Sequence, residues 1–235
     1  MLEKETVALA WIDNGVVQGK CVEGLVYASL TGNDYSLRIA DMIRVKGIQI
    51  QRQRQRVVEI WLEETQTDWL LWVDSDIVLN KDALEKIFDC ADKEKYRMIS
   101  GVYFISLNSE ESLMEPRICL FDDVEKYSIM PINDVPDNKL IKVDVSGFGF
   151  LLMHKSVVEE MIEKYPGQNL FEEEQGLGNK FVGEDVTFLR KAREIGIPLY
   201  AHTGAYVQHM KTFTLDLSYH HMYWENAHKI IRNKP

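Results

Sequence analysis

Trp69-Leu70-Leu71-Trp72-Val73-Asp74-Ser75-Asp76 is an apolar run that ends in two acids. A short continuous apolar stretch with polar neighbours reads as a buried strand, here delivering Asp74 and Asp76 at its end. If the strand stays extended through the acids, both carboxylates point to the same side, roughly 6.7 Å apart. At an effective dielectric of about 20 they would repel by about 2.5 kcal/mol, so a positive partner is expected. Carboxylate oxygens are hard ligands suited to magnesium or manganese, and such ions commonly carry nucleotide phosphates.

Working outward from this strand, the first half of the chain alternates strand-like runs with helical periods. Val7 to Ile12 and Leu37 to Ile43 read as strands, and Asp13-Asn14-Gly15 as the loop after the first. Gly19 to Leu30 reads as a helix interrupted by Gly24, and Ile50 to Glu64 as a helix with Val57, Val58, Trp61 and Leu62 on one buried face. Asn80 is placed to cap a helix running through Lys93. This alternation predicts an α/β fold, a sandwich with a mostly parallel central sheet. Because Asn80 takes the capping role, capping does not explain the two aspartates.

The second half differs in texture. Ile99 to Phe104, Arg117 to Phe121, Lys126 to Met130 and Leu140 to Val145 predict shorter, partly antiparallel strands. Ser146-Gly147-Phe148-Gly149-Phe150 follows, and its glycines suit either a β-bulge or a close approach of backbone to a ligand. Ser156 with Glu159 predicts a capping box for a helix that buries Val157, Val158, Met161 and Ile162 and stops at Pro166-Gly167. The acidic stretch from Phe171 to Gly178 reads as a loop. Gly183-Glu184-Asp185 then opens a helix closed by Gly196 and Pro198, and Tyr200 to Gln208 reads as a last strand delivering His209.

At 235 residues the chain is long enough to bury a sizeable core without disulfides or a structural metal. A net charge of −10 argues against a general binder of nucleic acid or anionic membranes. Cys21, Cys90 and Cys119 form no CxxC pattern, and no apolar stretch approaches the length of a membrane span. A cytoplasmic location is the expectation. Each candidate also has a bland reading: His209 as a hydrogen-bonded core histidine, Asp185 and Glu184 as first-turn acids complementing a helix dipole, and Arg52, Arg54 and Arg56 as a solvated helix surface.

Taken together, the aspartate pair, Val145 to Leu152, Gly183-Glu184-Asp185 and the strand ending in His209 resemble the GT-A type of nucleotide-sugar glycosyltransferase, across about residues 5 to 213. Arg54-Gln55-Arg56-Val57-Val58-Glu59-Ile60-Trp61-Leu62 is similar to the arginine-led helix that precedes the aspartate strand in such enzymes. The resemblance implies a GT-A Rossmann-like α/β/α sandwich over residues 1–213, with residues 1–80 holding the nucleotide, 81–213 forming a smaller mixed acceptor half, and 214–235 a tail or lid. Asp74, Asp76 and His209 would hold Mn2+ or Mg2+, with Asp76 bound directly and Asp74 meeting ribose or a metal-bound water. Trp11, Asp13, Arg54, Ser75 and Lys211 would face a nucleotide-sugar donor, UDP-linked by the family's usual choice. Gly147, Phe148 and Gly149 would face the acceptor, which is a carbohydrate, lipid-linked, protein or modified nucleic-acid hydroxyl. Asp185 would be the base of an inverting transfer, and Glu184 would bind the acceptor. The chain departs from the usual proline or threonine near Trp11 and Asp13.

Two other readings compete. A phosphohydrolase of the haloacid dehalogenase type also carries apolar residues before Asp-x-Asp, with Asp74 as nucleophile and Asp76 as acid/base. That motif normally lies on a first strand, whereas here strand, helix and strand precede it. A non-catalytic sugar-nucleotide-binding protein is the third reading.

Overall fold

In a computed structural model of the protein, the described residues are 4–106, 116–125, 128–132, 134–175, 181–212, 217, 219–221 and 223–225. Strand β1 (Thr6–Asp13), helix α1 (Gly19–Leu30), β2 (Arg38–Lys46), α2 (Ile50–Glu64) and β3 (Trp69–Val73) follow the expected order. After a short β4 (Ile77–Val78) comes α3 (Lys81–Asp89), then β5 (Met98–Val102), β6 (Phe104–Ser106), β7 (Pro116–Ile118), β8 (Leu120–Glu125) and β9 (Ser128–Pro131). The chain continues with β10 (Leu140–Val143), β11 (Val145–Ser146), β12 (Phe150–His154), α4 (Lys155–Lys164), β13 (Glu174–Gln175) and β14 (Phe181–Val182). It closes with α5 (Glu184–Glu194), β15 (Leu199–Tyr206) and β16 (Gln208–His209).

The main sheet has seven strands in the order β10-β15-β5-β12-β3-β1-β2. Five run the same way, while β12 pairs antiparallel with both β3 and β5, and β10 pairs antiparallel with β15. Helices cover the sheet in an α/β/α sandwich, the architecture that the sequence predicts. β3 lies between β1 and β12, and all five of its residues are buried, which is why its sequence is apolar without alternation. A smaller three-stranded sheet, β11-β8-β9, stands beside the main one.

Gly24 does not break α1, because it serves packing. A Cβ there would stand 2.8 Å from the backbone nitrogen of Leu79, so only glycine lets this helix lie against the segment before α3. Asn80 caps α3 as expected, its side-chain oxygen accepting from the Ala83 N–H at 3.0 Å, but the helix stops at Asp89 rather than Lys93. The expected capping box at Ser156 is not formed. His154 is the N-cap of α4, its Nδ1 accepting from the Ser156 N–H at 3.2 Å, and Ile162 faces outward. In α5 the stop is as expected, with Gly196 at φ +86. Gly176, Leu177 and Gly178 of the acidic loop, Lys126, and His228 of the tail lie outside the described residues.

The largest fully buried side chains include Trp61, Trp69, Trp72, Phe148, Phe171 and Phe188. Trp72, Phe148, Phe171 and Phe188 form an edge-to-face and stacked cluster with ring centroids 4.7–5.8 Å apart, joining β3 to α5. That cluster fixes the floor of the site. Among the described residues, no helix is long and apolar enough to cross a membrane.

Candidate functional site

The apolar strand ends one residue before the acids. Ile77 N–H donates to the Asp74 carbonyl at 3.0 Å, closing a turn over Asp74-Ser75-Asp76-Ile77. The expectation of an extended acidic pair is therefore corrected. In a turn the two side chains diverge, and each finds a different cation. Asp74 Oδ1 accepts from Arg54 Nη2 at 3.2 Å, whereas Asp76 Oδ2 meets His209 Nε2 at 3.0 Å and Lys211 Nζ at 2.9 Å.

His209 reaches Asp76 because β16 pairs antiparallel with β4, with His209 opposite Ile77, and because the Met210 N–H donates to the Asp76 carbonyl at 2.7 Å. On the far side of the ring, Nδ1 lies 2.7 Å from the Phe104 carbonyl oxygen. A carbonyl can only accept, so Nδ1 carries a proton and Nε2 is the nitrogen aimed at Asp76. Anchoring one imidazole nitrogen on a backbone carbonyl fixes the ring and aims the other nitrogen, which is how proteins orient metal-binding histidines. Burial pushes the Asp76 carboxyl up, but hydrogen bonds from His209 and Lys211 outweigh it and leave it below its usual range. Among the described residues, no group of three or more His, Cys, Asp or Glu side chains converges in a ready metal cage. Asp76 and His209 remain as a carboxylate and an imidazole converging from separate parts of the chain. That donor set suits an octahedral ion that keeps its other positions for water and phosphate oxygens.

Beneath the turn lies a buried ionic network. Arg54, 2% exposed, donates from Nε to Glu184 Oε1 at 3.0 Å as well as to Asp74, and its guanidinium sits 5.5 Å from the Trp72 ring centroid and 5.2 Å from that of Phe148. The sequence reading put Arg54 against the donor and Glu184 against the acceptor. The structure instead joins them to each other, so Arg54 ties the turn after β3 to the start of α5. Burial tends to neutralise Arg54, yet Asp74 and Glu184 more than offset this and keep it charged. Asp185, the next residue, is pushed up to about 6 by burial and then by the neighbouring Glu184 charge, against the pull of Arg54.

Tyr103 was not visible as a site residue, although it directly follows β5 at its carboxyl end, where open α/β sheets commonly gather ligands. Its hydroxyl accepts from the Gly149 N–H at 3.1 Å, and its ring stands edge-on to His209 at 5.3 Å. A Cβ on Gly147 would overlap this hydroxyl and would come within 3.8 Å of Asp185 Oδ2; one on Gly149 would lie 2.8 Å from Tyr103 Cζ. The two glycines thus make room for Tyr103. Phe148 between them turns its side chain into the aromatic cluster, so only its backbone borders the site. Gly147→Ala should cost about 1–3 kcal/mol in urea unfolding, the usual range for overpacking. Adding Tyr103→Phe should recover part of it, and strictly additive effects in this double-mutant cycle would remove the steric explanation.

A pocket of about 430 Å³ lies against the acidic turn, lined by Asp13, Asn14, Gln18, Gly47, Gln53 and Ser75 among others. Its rim is tied together by Gln53, whose Nε2 donates to the Asp13 carbonyl at 2.8 Å and the Val45 carbonyl at 3.0 Å. Asp13 is held by Arg44 at 2.7 and 3.0 Å, and by the Gly15 N–H at 2.7 Å. The Arg44 hydrogen bond outweighs burial and lowers its carboxyl below the usual range. Trp11 does not share this pocket; it lines a separate apolar groove with Val22, Val26, Leu30 and Met42. Apart from Trp11, Phe148 and the Arg54–Glu184 pair, the sequence-predicted residues divide into three places. Asp13, Ser75, Asp74 and Asp76 border the pocket, His209 and Lys211 close on Asp76, and Gly147, Gly149 and Asp185 gather around Tyr103.

In sequence, no family and no curated protein matches the chain. In structure, it is similar to the crystal structure of A197 from STIV, with 20% identity over 87% of this chain and 86% of that one and a TM-score of 0.57. It is also similar to the crystal structure of GalNAc-T7 with UDP, GalNAc and Mn2+, with 7% identity over 89% of this chain and 44% of that chain and a TM-score of 0.48. The likeness to A197 is a likeness of fold.

Proposed function

We propose that the protein is a metal-dependent glycosyltransferase that moves a sugar from a nucleoside diphosphate sugar, a UDP-sugar by the family resemblance, to an acceptor hydroxyl. The observation that carries this reading is the meeting of His209 Nε2 with Asp76 at the mouth of the pocket. Asp76 and His209 would hold Mn2+ or Mg2+, and the ion, when bound, would neutralise charge developing on the departing diphosphate. In this reading the nucleotide lies in the 430 Å³ pocket, so residues 1–80 serve the donor and 81–213 the acceptor.

Each protein group then has a task. Lys211, already on Asp76, exchanges that carboxylate for a phosphate oxygen when the donor enters. Arg54 acts through Asp74 and Glu184, keeping the donor side and the start of α5 in fixed relation. Asp185, raised to about 6, removes the acceptor proton, and attack from the side opposite the leaving group would give inversion. The phosphohydrolase alternative requires Asp74 as a free nucleophile, whereas Arg54 binds it, and it leaves His209 without a task.

A thermal-shift screen of nucleoside diphosphate sugars with and without Mn2+ tests the proposal. A donor at about a hundredfold excess over its Kd should add about 2.7 kcal/mol, a rise of roughly 5–10 °C, and only with the metal. A panel with no Mn2+-dependent shift would overturn it.

A further inference from the structure

A second pocket, of about 300 Å³, opens beside Asp185. Its walls are apolar: Ile105, Phe121, Ile129, Pro131 and Val145 come from the small strands β6, β8, β9 and β11. Cys119, also in the wall, has its thiol pushed up to about 12 by burial and is no nucleophile at neutral pH. Among the described residues that line it, polar side-chain atoms are few and gathered at one end. The Tyr103 hydroxyl and Asp185 Oδ2 flank Gly147, and the Tyr103 hydroxyl, accepting from the Gly149 N–H, still has its own proton to give.

A pocket of this kind selects its ligand by contrast. One hydroxyl can be met at the Gly147 end, by a carboxylate that accepts and a phenol that donates. Further hydroxyls would be carried into aliphatic walls without partners, at a cost of about 1–3 kcal/mol each. The volume is about twice that of a cavity that holds benzene, so the walls accommodate one ring with a short chain.

Building on the glycosyltransferase reading, we propose that the acceptor is an alcohol whose hydroxyl is borne on a small apolar body, which fills the pocket beside Asp185 while its hydroxyl lies between Asp185 and Tyr103. A monosaccharide acceptor, with hydroxyls on every side, fits this pocket poorly. The apolar body contributes through burial alone, which at about 25 cal/mol per Å² corresponds to a preference of about 10–100-fold for a group of this size.

The test compares 2-phenylethanol and 1-hexanol with ethylene glycol and glucose as acceptors, using the donor found by the thermal screen and the full chain. Both apolar alcohols should exceed both polar acceptors by at least about 10-fold in kcat/KM. The Ile129→Asn and Val145→Asn variants should each shrink that ratio. Equal or better transfer to glucose, or an unchanged ratio in both variants, would overturn the proposal. Failure of the donor reading is recognised separately, by the absence of any Mn2+-dependent donor shift. In that case binding of 2-phenylethanol to the wild-type protein, followed by the broadening of its proton resonances, still decides the pocket's chemistry. Broadening that Ile129→Asn abolishes supports the assignment, and no broadening refutes it.

Discussion

Arg54→Met should lower stability by about 3–5 kcal/mol, the largest single-residue effect expected outside the aromatic core. Methionine matches the stem and fills the space between Trp72 and Phe148, but it leaves Asp74 and Glu184 without their shared partner. Glu184 is buried, so its charge would stand uncompensated in a dry setting. Arg54→Lys keeps the charge and should still be damaging, since an ammonium cannot present two donors in a planar fork to two separate carboxylates. Arg56 provides the internal control. It is exposed and paired with Glu59 and Glu64, so Arg56→Ala should change stability by less than about 1 kcal/mol. Urea unfolding of the three variants measures the contrast; a loss under 1 kcal/mol in Arg54→Met would mean the network is not what ties the turn to α5.

Asp185→Asn should reduce transfer by about 10²–10⁴-fold while leaving donor binding unchanged, because an amide cannot take the acceptor's proton. In the wild type, transfer should rise about tenfold per pH unit below about 6 and level above it, following ionisation of Asp185. The same shift has a stability consequence of known sign. The folded protein holds this proton up to about pH 6, while the unfolded chain releases it near its ordinary value of 3.8. The native state therefore binds more protons between those values, and its stability falls as pH rises through that window. Above it, Asp185 costs about 1–3 kcal/mol, so Asp185→Asn should be the more stable protein at pH 7. A variant that is inactive and also less stable would point to a structural role for this carboxyl.

How far the sequence reveals this molecule depends on which residues are asked. The bounds of α2, Ile50 to Glu64, could be read directly, because Val57, Val58 and Trp61 recur with the period of a helix that rests on a sheet. The turn at Asp74 was obscured by the apolar run before it. Asp and Ser are favoured turn residues, but five buried positions in a row make continuation of the strand the simpler reading. The buried partners of Arg54 were hidden for a related reason. Gln51 to Arg56 looks like a solvated surface, and nothing local says that Gln53 and Arg54 face inward to partners 40 and 130 positions away, a separation that only the fold closes. His154 displaced Ser156 as the α4 cap because imidazole Nδ1 can accept from a backbone N–H, a role that cap preferences do not highlight. Tyr103 carried a signal that position alone could have raised, an aromatic at the carboxyl end of a buried strand.

The early acids and the late histidine illustrate the opposite case. Asp76 and His209 are 133 positions apart, yet their union was expected from the resemblance to GT-A enzymes, and the β4–β16 ladder is the physical device that brings it about. What the ladder does not supply is a third side chain, because the turn sends Asp74 to Arg54. A site with two protein ligands binds a bare divalent ion weakly and gains affinity when diphosphate oxygens complete the shell. Metal and donor should therefore bind with mutual reinforcement, and each should raise the affinity of the other by the same factor.

Calorimetric titration of Mn2+ into the wild-type protein and into His209→Ala, each with and without a saturating nucleoside diphosphate, tests the central claim most directly. The wild type should bind Mn2+ at least about tenfold more tightly when the nucleotide is present, and His209→Ala should lose that gain. Equal Mn2+ affinity in the two proteins, with the nucleotide bound, would contradict the assignment of Asp76 and His209 as the metal's ligands.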